Sequence, residues 1–207
     1  MFTGPFIVGS IIACRSTPSD GKIDGDVVED TATVSNAAPV VASVTLSPST
    51  AYTNDTITAT AVFSDDDTTQ TVSGTYAWHV VDFATGTDTE VQSGSDNTLS
   101  GVSYFNRDDE VYVVVTPNDG VDNGTPMTSS SITVSNTAPT APSVSISPDP
   151  AVEGQDDLVC LVDTPSSDDD GDSVVYTYVW TDDSGTVQQT TTESSATMTC
   201  THSSQQS

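Results

Sequence analysis

A seven-residue phrase occurs twice in this chain, one hundred positions apart, with six of its seven residues identical. Thr33-Val34-Ser35-Asn36-Ala37-Ala38-Pro39 returns as Thr133-Val134-Ser135-Asn136-Thr137-Ala138-Pro139. Further matches follow in order: Ser43-Val44 with Ser143-Val144, Ser47-Pro48 with Ser147-Pro148, Ser64-Asp65-Asp66-Asp67 with Ser167-Asp168-Asp169-Asp170, and Tyr76-Ala77-Trp78 with Tyr178-Val179-Trp180. A repeat of this length means that one copy's fold is the fold of the whole chain. Residues 37–136 make one full period. Residues 1–36 read as the last third of a preceding copy, because Thr17-Pro18-Ser19-Asp20-Gly21 matches Thr116-Pro117-Asn118-Asp119-Gly120. That alignment sets Phe6 on Phe105 and Cys14 on Val113. Residues 137–207 read as the first two thirds of a following copy. The chain is therefore expected to be a segment of a longer array.

Within the full period the apolar residues recur at every second position. Ile57, Ala59, Ala61 and Phe63 alternate with Thr58, Thr60 and Val62, the pattern of a half-buried strand. Tyr76, Trp78 and Val80 fall on one face of Thr75 to Val81. Val44 to Leu46 and Ser131 to Val134 read as the first and last strands. Val111 to Val115 is a continuous apolar run that suits a central strand. Turn chemistry separates the runs at Gly94-Ser95-Asp96-Asn97, Asn118-Asp119-Gly120 and Asn123-Gly124. No window has a helical period. About seven short strands per ~100 residues around a buried tryptophan is the pattern of an immunoglobulin-like Greek-key β-sandwich. The expected fold is all-β, in tandem, with incomplete terminal repeats. Trp78, Trp180, Tyr76 and Tyr178 are the expected core aromatics, with Phe63 beside them, while Tyr52 and Tyr104 are free to be exposed.

The run Ser167-Asp168-Asp169-Asp170-Gly171-Asp172-Ser173-Val174-Val175-Tyr176-Thr177-Tyr178-Val179-Trp180 resembles the signature of polycystic-kidney-disease (PKD) and cadherin-like repeats in microbial surface proteins. Val115-Thr116-Pro117-Asn118-Asp119-Gly120 resembles their penultimate-strand turn, and Asn136-Thr137-Ala138-Pro139 their inter-repeat joint. The resemblance implies tandem sandwiches in secreted or cell-surface proteins, serving as stalks, adhesins or accessory modules of larger enzymes. It also implies a role for two cysteines. Cys160 stands where the full unit has Ala59, and Cys14 where it has Val113. These are the positions bridged across the sheets of disulfide-bearing immunoglobulin domains, so the bridging partners of Cys14 and Cys160 are expected to lie outside this chain. Cys200 aligns with Gly101, and a Cys160–Cys200 bond is an open alternative.

Composition narrows the partners. Three basic residues (Arg15, Lys22, Arg107) stand against thirty acidic ones, a formal net charge of −27. No basic face is available for phosphates, so nucleic-acid binding is excluded as a function class. No stretch approaches the ~20 apolar residues of a membrane helix. Low apolar content with high charge would read as disorder, but the ordered alternation argues for a folded, soluble, exported protein. The mildly apolar start ending in Ile11-Ile12-Ala13-Cys14 resembles a lipoprotein signal, although no Lys or Arg precedes it and Gly4, Pro5 and Gly9 interrupt it.

The acidic loops are the candidate sites. Asp168, Asp169, Asp170 and Asp172 surround Gly171; Asp65, Asp66 and Asp67 form the matching loop. Calcium takes six to eight hard oxygens, and Asp119 and Asp122, or Asp20, Asp24 and Asp26, could add ligands from an adjoining turn. The full unit has Thr68 and Thr69 where the later loop has Gly171 and Asp172, which weakens its claim. Catalysis is not expected: His79 and His202 are the only histidines, and neither a close His pair nor a Cys-x-x-Cys is present. Three functions follow as expectations. The first is a structural or adhesive segment stiffened by calcium, with neighbouring repeats as its partners. The second is a module binding cell-surface glycan or protein. The third is a fibre subunit in which residues 1–36 of one chain complement residues 137–207 of the next.

Overall fold

The computed structural model describes residues 6–153, 155–193 and 197–200, with the backbone alone for 193 and 197–200. His202 and the Cys200 side chain lie outside the described residues. The chain divides into two compact units, 1–135 and 136–207. Residues 1–36 thus group with the full repeat.

The first unit opens with a two-stranded antiparallel hairpin, β1 (Ile11–Ser16) and β2 (Val28–Thr33). Nearly every residue of both strands is exposed; Ile12 alone is half-buried. The full repeat follows as β3 (Val40–Ser47), β4 (Ala51–Tyr52), β5 (Thr56–Ser64), β6 (Ser73–Val81), β7 (Asp88–Gly94), β8 (Thr98–Ser100), a four-residue helix α1 (Gly101–Tyr104), β9 (Glu110–Asn118), β10 (Met127–Thr128) and β11 (Ile132–Ser135). One sheet has the order β3-β5-β8. The other has the order β4-β11-β9-β6-β7, with β10 also on β9. All neighbours are antiparallel except β4 and β11, which run parallel.

The two sheets close on one core, as a β-sandwich does. Val41, Ile57, Ala59 and Leu99 come from the first sheet, and Trp78, Val80, Val111, Val113, Val115, Ile132 and Val134 from the second. The alternation in β5 and β6 predicts this split: Ile57, Ala59, Trp78 and Val80 face inward. Trp78 is wholly buried, and its indole N–H donates to the Asp96 carbonyl at 3.3 Å, so its one polar atom is satisfied. Phe63 and Tyr76 pack against the same core, and Tyr52 and Tyr104 are exposed.

The central position expected for the β9 run holds, and its burial is refined here. The apolar run in β9 is central, yet its burial alternates: Val111, Val113 and Val115 are buried while Tyr112 and Val114 are partly exposed. Only one face of this sheet meets the core, so a continuous apolar run overstates two-sided burial. The polar strands β7 and β8 and the short α1 carry no apolar period and are not read from the sequence.

The second unit has β12 (Ser143–Ser147), β13 (Leu158–Thr164) and β16 (Thr197–Cys200) in one sheet, and β14 (Tyr176–Thr181) with β15 (Val187–Glu193) in another. Its pairing reproduces that of the full repeat. Val144 faces Val162 as Val44 faces Ala61, and Ile146 faces Cys160 as Leu46 faces Ala59. The irregularity at Trp78/His79 returns at Trp180/Thr181. Cys200 faces Leu158, the place Leu99 holds opposite Ile57. Its counterpart by register is therefore Leu99, not Gly101. Cys160 is a free thiol facing Met198, so it is not directly opposite Cys200 in the ladder. Among the described residues this unit has no counterpart of β4, β9, β10 or β11. Tyr178 is buried, but Trp180 is only half-buried and its indole N–H has no partner.

Candidate functional site

The acidic loops converge on the first residues of the full repeat. The turn after β5 brings Asp65 to Asp67 to one end of the sandwich, and the turn after β9 brings Asp119 to Asp122 to the same end. Asp turns bond their own backbone before anything else. The Asp67 amide donates to Asp65 Oδ1 at 2.8 Å, while the Val121 and Asp122 amides both donate to Asp119 Oδ1 at 2.7 Å. Gly120, at φ +92°, supplies the left-handed step this turn needs.

The remaining oxygens hold the linker. The Ala37 amide donates to Asp67 Oδ2 at 2.7 Å. Asn36 Nδ2 donates to Asp119 Oδ2 at 2.9 Å and to Asp122 Oδ2 at 3.1 Å. Gln70 Nε2 donates to Asn36 Oδ1 at 2.7 Å. Asn36 is thus clamped by two loops of the following repeat. Gly124 completes the seat: its amide donates to the Pro117 carbonyl, and a Cβ there would lie 1.7 Å from the carbonyl oxygen of the fully buried Pro39.

The second acidic loop does the same. The Asp170 amide donates to Asp168 Oδ1 at 3.0 Å, and the Thr137 amide donates to Asp170 Oδ2 at 2.5 Å. Asp172 adds its amide to Asp168 Oδ1 at 3.2 Å. Asp66 and Asp169 are exposed. The first residue of each repeat is therefore held by the third aspartate of the Asp-Asp-Asp run. The Asp20 turn repeats the Asp119 turn, with the Lys22 and Ile23 amides on Asp20 Oδ1 at 2.9 and 3.0 Å.

These bonds set the local charge. The Asn36 side chain, then the Asp122 and Val121 amides, hold the Asp119 carboxyl below its ordinary value. The Ile23 and Lys22 amides do the same for Asp20. The oxygens of Asp67, Asp119, Asp122 and Asp170 thus already face N–H donors. Asp65 Oδ2 and Gln70 Oε1 are buried oxygens without a hydrogen-bond partner. Among the described residues, no three His, Cys, Asp or Glu side chains gather closely enough to hold a metal ion.

A second polar cluster was not read from the sequence. His79 and Tyr112, partners in the β6–β9 register, stack with ring centroids 4.8 Å apart. Asp88 of β7 takes a hydrogen bond from Tyr112 Oη at 2.5 Å and lies 3.0 Å from His79 Nδ1. The Asp88 carboxylate pushes the Tyr112 phenol up to about 12. Alternation places His79 on the outer face as expected. Only the cross-strand register shows that it is covered there by a tyrosine.

Of the aromatic residues of the full repeat, Trp78 is fully buried and Tyr76 packs against the core. No helix among the described residues is long and apolar enough to cross a membrane. No protein-family model matches the chain, and a search of curated proteins finds no match.

Proposed function

We propose that this chain is a non-catalytic structural segment of tandem immunoglobulin-like repeats, of the PKD/cadherin-like type, in an exported or surface protein. The observation that carries this reading is the repeated joint: Asp67 holds the Ala37 amide and Asp170 holds the Thr137 amide. Each bond lies within one repeat and ties that repeat's first residue to its own body, so each repeat starts from a fixed point. Here a carboxylate from inside each repeat grips the backbone where that repeat begins. Charge-assisted bonds of this kind are about twice as strong as neutral ones. The sheet order β3-β5-β8 against β4-β11-β9-β6-β7 fits the immunoglobulin-like arrangement. The neighbouring repeats are then the first partners, and the acidic surface keeps the array soluble.

In this reading the joint is latched by hydrogen bonds rather than by an ion. Calcium is the second reading, favoured by Asp65 Oδ2 and Gln70 Oε1, the two unpartnered buried oxygens beside the joint. Calorimetry with calcium, magnesium and EDTA separates them. Superimposable melting curves support the hydrogen-bonded latch. A calcium-specific rise reversed by EDTA assigns the ion to the joint. Hydrogen exchange at the Ala37 and Thr137 amides tests the spacer reading itself: both are expected to be protected, and fast exchange at both would refute it.

A further inference from the structure

Charge is segregated within the full repeat. The chain holds thirty acidic and three basic residues, yet none of them falls in 37–54 or in 124–136. The first stretch forms β3 and β4, the second β10 and β11. The free edges of the two sheets differ accordingly. β8 and β4 are short, with three and two residues, and β7 carries Asp88 and Glu90. Short length and charge are usual defences of a sheet edge. β3 has neither. It runs for eight uncharged residues, and among the described residues it pairs with β5 alone. Its one irregularity, between Val41 and Ser43, leaves Ser43 to Ser47 in regular register.

The core is also open along this edge. Val44 and Leu46 pack against it, opposite Ala61 and Ala59, yet both are only partly buried. At the far edge of the same sheet Leu99 is wholly buried. Val44, Leu46 and Ile132, with Ser49, Ser130 and Ser131, line a groove of about 260 Å³ beside β3. A free strand edge next to an apolar groove fits one more extended strand. Its amides and carbonyls extend the ladder, and its alternate side chains enter the groove.

We propose that a second copy of the chain supplies that strand, its β3 pairing antiparallel with this one across a two-fold axis. The molecule itself argues for this occupant. An uncharged strand with two inward apolar residues two positions apart fits the groove, and β3 is such a strand. The register then follows. An axis at Thr45 sets Val44 opposite Leu46 of the second copy, Ser43 opposite Ser47, and Thr45 opposite its own counterpart. It uses the whole regular stretch, whereas an axis at Val44 meets the irregularity at Val41/Ser43 and one at Leu46 meets Pro48. An axis between two residues would set inward side chains against outward ones. Two chains of net charge −27 repel over the rest of their surface, so they meet on this uncharged side. The contact is isologous and closes as a dimer. Five paired residues span about 17 Å. A strand edge of that length buries less than the ~800 Å² per partner of a stable interface, so the dimer is reversible and fills at high concentration. The contact uses the edge of the full repeat alone and is independent of any spacer role.

The test weighs the full chain by sedimentation equilibrium, with its thiols kept reduced. Mass is expected to rise with concentration from 21.4 kDa toward twice that value and no further. Added salt is expected to strengthen the association, because it screens the net repulsion and the contact holds no ion pair. Thr45 is exposed, so Thr45→Asp and Thr45→Lys are expected to keep the fold by circular dichroism. Each alone sets like charges opposite one another across the axis and is expected to abolish the dimer. An equimolar mixture of the two sets opposite charges there and is expected to restore it. Thr89→Asp, at the exposed edge of the other sheet, is expected to leave the mass unchanged. Amide exchange over 43–47 is expected to slow as the dimer fills. Four results overturn the proposal. One is monomer mass at every concentration and salt, which leaves the edge to a partner of other sequence. The second is mass that grows past the dimer. The third is association that survives Thr45→Asp. The fourth is a mixture that associates no better than its two components.

Discussion

Replacing Asp67 by alanine removes one acceptor and leaves its donor in place. The Ala37 amide, half-buried under the turn after β5, loses its 2.7 Å bond to Asp67 Oδ2. A hydrogen bond to a charged group contributes roughly 1.5–3 kcal/mol net when buried. Partial exposure lets water replace part of it, so a value at or somewhat below the lower end of that range applies, about 1–2 kcal/mol. For a domain near 100 residues each kcal/mol moves Tm by roughly 4–8 °C. A drop of about 4–16 °C in the transition of the first unit is therefore expected. The local readout is sharper. Since 1.4 kcal/mol is a factor of ten, exchange at the Ala37 amide should accelerate by about tenfold. Hydrogen-exchange mass spectrometry on peptides spanning 36–41 measures it. Asp67→Asn keeps a neutral acceptor and should lie between wild type and Asp67→Ala. Asp170→Ala should do the same to Thr137 and leave Ala37 untouched. If Ala37 exchanges equally fast in wild type and Asp67→Ala, the carboxylate does not hold the joint and the reasoning fails.

Other outcomes follow from the same geometry. Asp119 is held below its ordinary 3.8 first by the Asn36 side chain, so its stabilisation is complete above that pH and is lost as pH falls through the lower folded value. Acid titration of Tm should show this loss in wild type and a smaller one in Asn36→Ala; identical curves would refute it. Gly124→Ala forces a Cβ onto the Pro39 carbonyl and should cost more than about 1 kcal/mol in chemical denaturation, whereas Gly25→Ala, whose nearest neighbour is Pro18 Cγ at 3.0 Å, should cost less. The Tyr112 phenol, near 12 beside Asp88, should ionise closer to 10 in Asp88→Asn, read as the phenolate absorbance missing from Tyr112→Phe. Trp78→Ala empties the centre of the core and should cost about 3–5 kcal/mol by urea unfolding.

What the sequence made legible is what side-chain pattern encodes. β5 and β6 bury one face against water, so Ile57, Ala59, Trp78 and Val80 declare themselves by alternation. β7, with Asp88, Thr89 and Glu90, and β15, with Gln188 and Thr190 to Thr192, are edge strands that bury little and carry no such signal. The acidic loops were legible as loops and as the only candidate site. Their partner was not, because a backbone amide at Ala37 or Thr137 has no residue-type signature. The His79–Asp88–Tyr112 cluster joins three strands and depends on register, which sequence spacing does not fix. The Cys200 alignment with Gly101 failed because residue spacing between matched positions is not constant from copy to copy, and only strand register sets Cys200 in the place of Leu99.

The parallel pairing of β4 with β11 has a mechanical consequence. Val134 lies beside Ala51 and Ser135 beside Tyr52, so a strand near the start of the full repeat runs alongside the strand that ends it. Pulling residues 37 and 135 apart drags these strands past one another along their length. Their bonds then share the load sideways and together, instead of opening one by one from an end. Force resistance in such a repeat is a property of that short seam and of its unfolding rate, largely separate from the equilibrium stability that the buried tryptophan supplies.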